Sequence, residues 1–269
     1  ATDGMLLEAG NIYIGIPNHH LLVKDGKIAI GHGPAENRWR PSIDVLFRSV
    51  ASSYNSRAIG IVLTGMLDDG TAGMLAVKHC GGTCIVQDPQ EAEYPAMPLS
   101  VLDSMDVDYC LPVTAMGLMI QELAKRTQVK SVKVPPDVKK EAEIAEKLAI
   151  GMEQVDELGL QSRFTCPDCG GVLWEIKGDK INRYRCHTGH SYSENDLLIK
   201  QAEEAEGTLW VAIRLMEERR NLLKKMESDA RRRGFKIIAD GHLERSNELQ
   251  AHITRIKCIL IATQRSDHT

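Results

Sequence analysis

Residues 1–128 predict an α/β domain with a doubly wound, mostly parallel sheet, and three observations carry that expectation. Ile59–Leu63 is a short, almost wholly apolar run, as expected of a strand buried on both faces of a parallel sheet. A glycine-rich loop, Thr64–Gly73, follows it. A helical run near Met74–His79 then leads through Gly81–Gly82 to a second apolar strand, Thr83–Val86. Strand, loop, helix and strand in that order make a βαβ unit, whose crossover is expected to be right-handed.

The flanking elements follow from periodicity. Asn11–Pro17 and His20–Val23 are strand-like runs rich in Ile and Val, and a turn at Lys24–Lys27 leads to another strand at Ile28–Ile30. Ser42–Ser52 places Ile43, Leu46, Phe47 and Val50 at helical spacing, just after Pro41. Met116–Ala124 has the spacing of a helix that ends the domain, with Thr114 as its expected cap. Residues 129–162 combine a Lys/Pro-rich stretch with a short amphipathic run, which predicts a linker with a short helix. Residues 193–269 carry two apolar stripes. Leu198, Ala202, Ala205, Leu209, Ile213, Met216, Leu223 and Met226 form one; Ile238, Leu249, Ile253, Ile256 and Leu260 form the other. Arg231–Arg233 followed by Gly234 is a helix stop, so the expectation is an α-helical hairpin.

Composition excludes several classes. The 269 residues are 43% hydrophobic and 26% charged, as in an ordinary globular chain. No apolar run approaches the ~20 residues needed to cross a bilayer, so no membrane insertion is expected. The net charge of −4 divides into −7 over 1–162, +2 over 163–192 and +1 over 193–269. None of these segments has the basic footprint of a nucleic-acid binder. Seven cysteines, three of them clustered, suit a reduced cytoplasm with one metal site better than a disulfide framework.

That metal site is the most specific signal in the residues themselves. Cys166 and Cys169 form a C-x2-C pair; after 16 intervening residues Cys186 and His190 form a C-x3-H pair. Three thiolates and one imidazole at this spacing predict a structural zinc ion, with four positions filled and none left for substrate. Gly170–Gly171 permits the tight turn after the first pair, and His187 is left out as too close to Cys186. A small zinc-ribbon-like module over 163–192 is therefore expected.

In the glycine-rich loop, Asp68 and Asp69 fall just beyond the carboxyl end of the apolar strand, where open α/β sheets gather ligands and catalytic groups. The competing reading is a solvated turn with two ordinary aspartates. The segments Ile12–Pro17, His20–Val23, Asn37–Phe47, Leu63–Gly70 with Gly73, Gln87–Pro89 and Tyr94–Pro98 together resemble the chemotaxis-type protein-glutamate methylesterases, over most of residues 1–125. The cysteine cluster followed by helices resembles the C-terminal extension of a receiver-less subgroup.

The resemblance implies hydrolysis of γ-glutamyl methyl esters on the cytoplasmic helices of methylated chemoreceptors, with glutamine deamidation as a second activity. It implies a Ser-His-Asp mechanism in which the aspartate orients the histidine that activates the serine. The family's aspartate directly precedes the loop glycine and so falls on Asp69; Gly65 and Met66 match the active-site loop and would shape the ester pocket. Leu67 stands where many members have glycine. The family's serine and histidine lie upstream of the segment that begins near Asp3-Gly4. The sheet is therefore expected to be incomplete at its N-terminus and the chain as given inactive, with only the aspartate of the triad. A rival of another class is a non-catalytic regulatory or scaffold protein, binding a signalling partner through the zinc module and the helical hairpin.

Overall fold

A computed structural model describes residues 1–125, 132–146, 152–176 and 181–266. Parts of the expected linker and of the expected zinc module, 129–131, 147–151 and 177–180, lie outside the described residues. The chain divides into two compact units, Ala1–Leu198 and Ile199–Thr269.

The first unit opens with an antiparallel hairpin, β1 (His20–Lys24) and β2 (Lys27–Gly31). Its two-residue turn is Asp25–Gly26, both at positive φ (49° and 73°), the geometry that matches the twist of paired strands. The expected strand at Asn11–Pro17 does not form, and Ile12 and Ile14 are 91% and 72% exposed. The outer edge of β2 is taken by residues 4–7 instead. Gly4 N–H donates to Ile28 O and Leu7 N–H to Gly26 O, which leaves Asn11–Pro17 without an edge to join.

Helix α1 (Ile43–Tyr54) follows, with Ser42 in extended backbone at its N-cap. Next come β3 (Ile59–Val62), α2 (Thr71–His79), β4 (Thr83–Gln87), α3 (Ala96–Ser104), β5 (Tyr109–Leu111) and α4 (Val113–Ala124). The three strands form a parallel sheet in the order β3-β4-β5, with Ile61 opposite Ile85 and Ile85 opposite Tyr109. The expected βαβ unit is present, with adjustments. Strand β3 is covered fully on one face, where Gly60 and Val62 meet Met74 and Val77 of α2, and in part on the other, where Ile61 packs against Ile85, Met116 and Leu123 while Ile59 and Leu63 remain 36% and 43% exposed. Helix α2 starts at Thr71 rather than Met74, because Gly70, at φ +94°, turns the loop early. Helix α4 starts before the expected Thr114 cap: Pro112 occupies the N-cap, and Val113 N–H donates to Glu91 Oε2. Helix α3 and β5 had no clear sequence signal. Pro95 and Pro98 sit at the start of α3, where a missing N–H costs nothing.

The expected linker contains α5 (Pro136–Glu146), packed on α1, and the short α6 (Met152–Asp156). Val138 of α5 joins the core formed by Ala51, Val62, Met74, Val86 and Val101. Strands β6 (Gly159–Thr165), β7 (Val172–Ile176), β8 (Arg183–Cys186) and β9 (Ser191–Ser193) make an antiparallel meander in that order. Helices α7 (Glu194–Arg232) and α8 (Lys236–Ser266) meet at a glycine turn, Gly234 at φ +81°. In the second unit their seam is Ile213, Ile253 and Leu260 with Leu209, Met216 and Ile256. The predicted stripes thus hold in their middle, whereas Ala202, Ala205, Met226 and Ile238 are exposed and Ala239 is buried in place of Ile238. Leu198, just before the second unit, is exposed as well.

A buried ion network ties the meander to the α/β part. Glu36 pairs with Arg48 of α1 and, at 2.8 Å, with Arg185 of β8. Glu141 of α5 accepts two 2.8 Å bonds from Arg183 of β8 and lies 3.7 Å from Arg48. All five side chains are buried. Burial alone would raise the Glu36 carboxyl, but Arg185 and Arg48 outweigh it and hold it at about 2. A depressed carboxyl contributes stability above its unfolded pKa and loses it as pH falls through the folded value. Glu36→Gln is therefore expected to cost about 3–5 kcal/mol in urea unfolding at pH 7. The gap to the parent should narrow as pH falls from about 4.5 toward 2, where the parent loses the same interaction.

Candidate functional site

The loop after β3 carries the candidate site. Gly65 has its backbone against α3: its N–H donates to Tyr94 O, its carbonyl accepts from Met97 N–H, and a Cβ would lie 2.1 Å from Met97 Sδ. Met66 is 67% exposed beside it. Leu67 adopts φ +64°, a left-handed conformation costing a non-glycine residue roughly 1–2 kcal/mol. The backbone there has the shape that the family's glycine would adopt freely.

Asp69 is buried and turned back toward α1. Its Oδ1 accepts from Ser42 Oγ (2.8 Å), Asn37 Nδ2 (3.3 Å) and Asp44 N (3.3 Å), and its Oδ2 accepts from Ile43 N (2.8 Å). The carboxylate thus caps α1 from another segment, satisfying first-turn amides at the positive end of the helix. Burial raises its pKa against the pull of these donors. Asp44, in the first turn of α1, accepts from Gly73 N and Asn37 Nδ2, both at 2.6 Å, and burial with Asp69 nearby raises its pKa too. Gly73 belongs to α2 rather than to the loop, and it is required there. A Cβ would lie 2.6 Å from Phe47 and 2.9 Å from the Asp44 backbone, so α1 and α2 could not cross this closely.

Ser42 lies beside Asp69 and His20 beside Ser42, but not as a relay. The Ser42 hydroxyl donates to Asp69, whereas His20 Nδ1 accepts from the Ser42 backbone N–H (3.3 Å) and its Nε2 bonds Pro34 O (2.8 Å). Burial lowers the His20 pKa, so it sits as a neutral spacer.

Asp196 is a residue that sequence reading missed. It lies in the first turn of α7, is 1% exposed, and faces Asp68. The Asp68 carboxyl is its side-chain hydrogen-bond partner, and two carboxyls can bond this way only by sharing a proton. Burial, then the Asp68 charge, pushes the Asp196 carboxyl up to about 7. A raised carboxyl destabilises the fold as it ionises, so stability is lost as pH climbs from the ordinary range toward about 7. Asp196→Asn should match the parent near pH 4 and exceed it by about 1–2 kcal/mol at pH 8, read by urea unfolding at both pH values.

The metal candidates converge. Ligand atoms of Cys166, Cys169, Cys186 and His190 all lie within 4.8 Å of one another, the one such group among the described residues. His190 Nδ1 is 3.6 Å from both Cys166 Sγ and Cys186 Sγ, and Cys169 Sγ is 3.7 Å from Cys186 Sγ. These edges match a tetrahedron with metal–sulfur bonds of ~2.3 Å and metal–nitrogen bonds of ~2.0 Å, and the sulfurs are far too distant for a disulfide. Each pair sits on a tight turn with a left-handed glycine, Gly170 (φ +71°) and Gly189 (φ +109°). Tyr192 Oη lies 3.2 Å from Cys166 Sγ and donates to Asp168 Oδ2 at 2.6 Å, an outer support that the spacing did not reveal. The four residues could hold a metal ion.

Comparison with known proteins places the α/β part. The CheB methylesterase family profile matches residues 1–120. A Leptospira interrogans protein, provisionally named protein-glutamate methylesterase/protein-glutamine glutaminase, is 42% identical over 106 residues, 39% of this chain and 55% of that one. The enzyme of that name from Escherichia coli is 36% identical over 138 residues, 50% of this chain and 39% of that one. The catalytic domain of Thermotoga maritima CheB methylesterase aligns at 34% identity and a TM-score of 0.44, covering 46% of this chain and 67% of that domain. The chain spans at most about half the length of these two curated relatives. Through residues 1–120, the chain belongs to the CheB methylesterase family.

Proposed function

We propose that residues 1–128 serve protein-glutamate methylester hydrolysis, with glutamine deamidation, on the cytoplasmic helices of methylated chemoreceptors. Asp69 is the aspartate of the Ser-His-Asp mechanism, and Gly65 and Met66 shape the ester pocket. The observation that carries this reading is the hydrogen bonding of Asp69. Three donors fix Oδ1, while Oδ2 accepts from Ile43 N alone. A carboxylate oxygen can accept more than one bond, so an anchored aspartate with spare capacity on Oδ2 suits the orienting of a histidine N–H.

The serine and histidine are not supplied by Ser42 and His20, whose hydrogen bonds run in the wrong order. The 269-residue chain alone is therefore expected to release no methanol from a methylated receptor. In a protein joining this segment to its family's serine and histidine, Asp69→Asn should lower kcat by about 10⁴-fold. An equal loss in Asp68→Asn would overturn the assignment.

Residues 163–192 are proposed as a zinc-ribbon-like module in which Cys166, Cys169, Cys186 and His190 hold one structural zinc. The donor set supports zinc, since three thiolates and an imidazole at tetrahedral spacing favour it over harder ions. Zinc would supply cross-linking and no chemistry, because the four protein donors leave no open position. Elemental analysis of anaerobically purified protein should give about one zinc per chain, and Cys169→Ser should lose both the metal and the β6–β9 fold. Metal-free folded protein would overturn this.

Residues 193–269, the helical hairpin, are proposed to receive a signalling partner. The exposed Trp210, Leu215, Leu222 and Ile259 on α7 and α8 favour this role. The proposed setting is cytoplasmic, on the side of the membrane where the receptor helices proposed as substrate lie; among the described residues no helix is long and apolar enough to cross a membrane.

A further inference from the structure

Helix α7 carries two apolar faces within the second unit, and α8 covers one of them. Leu209, Ile213 and Met216 of α7 meet Ile253, Ile256 and Leu260 of α8 in the seam. Val211, Leu215, Leu222 and Met226 lie on the opposite side, roughly 160–220° around the helix from Ile213 at about 100° per residue. They are 50%, 52%, 57% and 42% exposed. Their spacing of four, seven and four residues makes a continuous stripe about 22 Å long. A surface helix needs one apolar face; a second face opposite the first suits a helix packed between two neighbours.

Charge along α7 indicates what covers this second face. Residues 199–213 hold one Lys and three Glu, a net −2, and residues 214–233 hold eight Lys/Arg and four Asp/Glu, a net +4. The helix dipole favours acids at the start and bases at the end, but its influence fades within the terminal turns. Glu203, Glu204, Arg214 and Arg219 lie well inside those limits. A helix acidic in one half and basic in the other complements a reversed copy of itself.

The stripe has the matching symmetry. A two-fold axis crossing α7 between Glu218 and Arg219 sets each residue opposite the one equally far on the other side. Val211 then meets Met226 of the second copy and Leu215 meets its Leu222, each contact occurring twice, as an isologous interface requires. Farther out on the same face, Thr208 meets Asp229 and Glu204 meets Arg233, and at the axis two Glu218 and two Arg219 gather with balanced charge. Parallel pairing would instead set Glu204 against Glu204 and Arg233 against Arg233, and juxtaposed like charges oppose association.

We propose that a second copy of this chain covers the outer face of α7, in an antiparallel pairing centred between Glu218 and Arg219. The pairing rests on the reading of the hairpin as a partner surface and names the occupant of one of its faces. A chain that stays monomeric overturns the pairing alone, since the binding of a foreign protein is a separate measurement.

Sedimentation velocity of the 269-residue chain from about 5 to about 300 µM is the test, because self-association follows mass action. The mass should climb with concentration from one chain toward two. Leu215→Glu and, independently, Leu222→Glu should each raise the dissociation constant about tenfold or more, since each puts a carboxylate into two apolar contacts. Glu204→Arg should weaken pairing severalfold, and adding Arg233→Glu should restore it. Far-ultraviolet dichroism checks that every variant keeps its helices. Monomer at all concentrations overturns the proposal, as does a dimer that both folded leucine variants leave unchanged. A Glu204→Arg variant without effect, or one that Arg233→Glu fails to rescue, overturns the antiparallel order.

Discussion

The arrangement of the first unit depends on three buried arginines held by two buried glutamates. Arg48, Arg183 and Arg185 come from α1 and β8, and Glu36 and Glu141 from a loop and α5, so four segments remote in sequence meet at one charged centre. Taking such charges out of water is costly, and their mutual pairing returns that cost only in one geometry. A slipped β8 or a rotated α5 would leave a buried guanidinium or carboxylate alone. Asp44 lies close enough for Arg48 and Arg183 to act on it, and its ionisation would balance the charge of the cluster. The network therefore selects one docking of the meander on the α/β part, whatever its net contribution to stability.

From this centre a short chain of contacts reaches Asp69. Glu36 is followed by Asn37, whose backbone N–H donates to Ser191 O of β9 at 2.8 Å and whose amide donates to both Asp44 and Asp69. Asn37 is held at φ +48°, a conformation asparagine tolerates better than most residues. The cysteine cluster closes the β8–β9 turn through Cys186 and His190, one residue before Ser191. The position of the candidate aspartate is thus set partly by the C-terminal extension. Family resemblance confined to the first 120 residues could not have revealed that link.

What the sequence made legible follows the range of the interactions. Ligand spacing is local, so Cys166, Cys169, Cys186 and His190 could be read directly, as could the Asp25–Gly26 turn and the Gly234 stop. Asp69 was legible through a motif, and its burial and role as a cap on α1 were not, because the amides it satisfies lie about 26 residues upstream. The pairing of Glu36 with Arg185 spans 149 residues and leaves no periodic trace. Residues 136–146 fall in the expected linker with a short helix, and their Lys/Pro-rich and amphipathic pattern gives no sign that Glu141 is a buried charge paired with β8. Asn11–Pro17 failed for the opposite reason: strand propensity is present, but residues 4–7 already occupy the available edge.

Ser42, His20 and Asp69 show why residue types in proximity do not make a catalytic relay. A nucleophilic serine needs its hydroxyl proton directed at a base that can take it, and the base needs a carboxylate behind it. Here the hydroxyl points at the carboxylate itself, and both imidazole nitrogens are committed to backbone groups. Transferring the Ser42 proton to Asp69 would remove the acceptor that holds α1 in place, since the same Oδ1 also receives Asn37 and Asp44. The trio is therefore a structural brace around the start of α1. A brace of this kind is what an orienting aspartate requires: its position is fixed by one oxygen and the surrounding fold, and the other retains the capacity to meet a histidine.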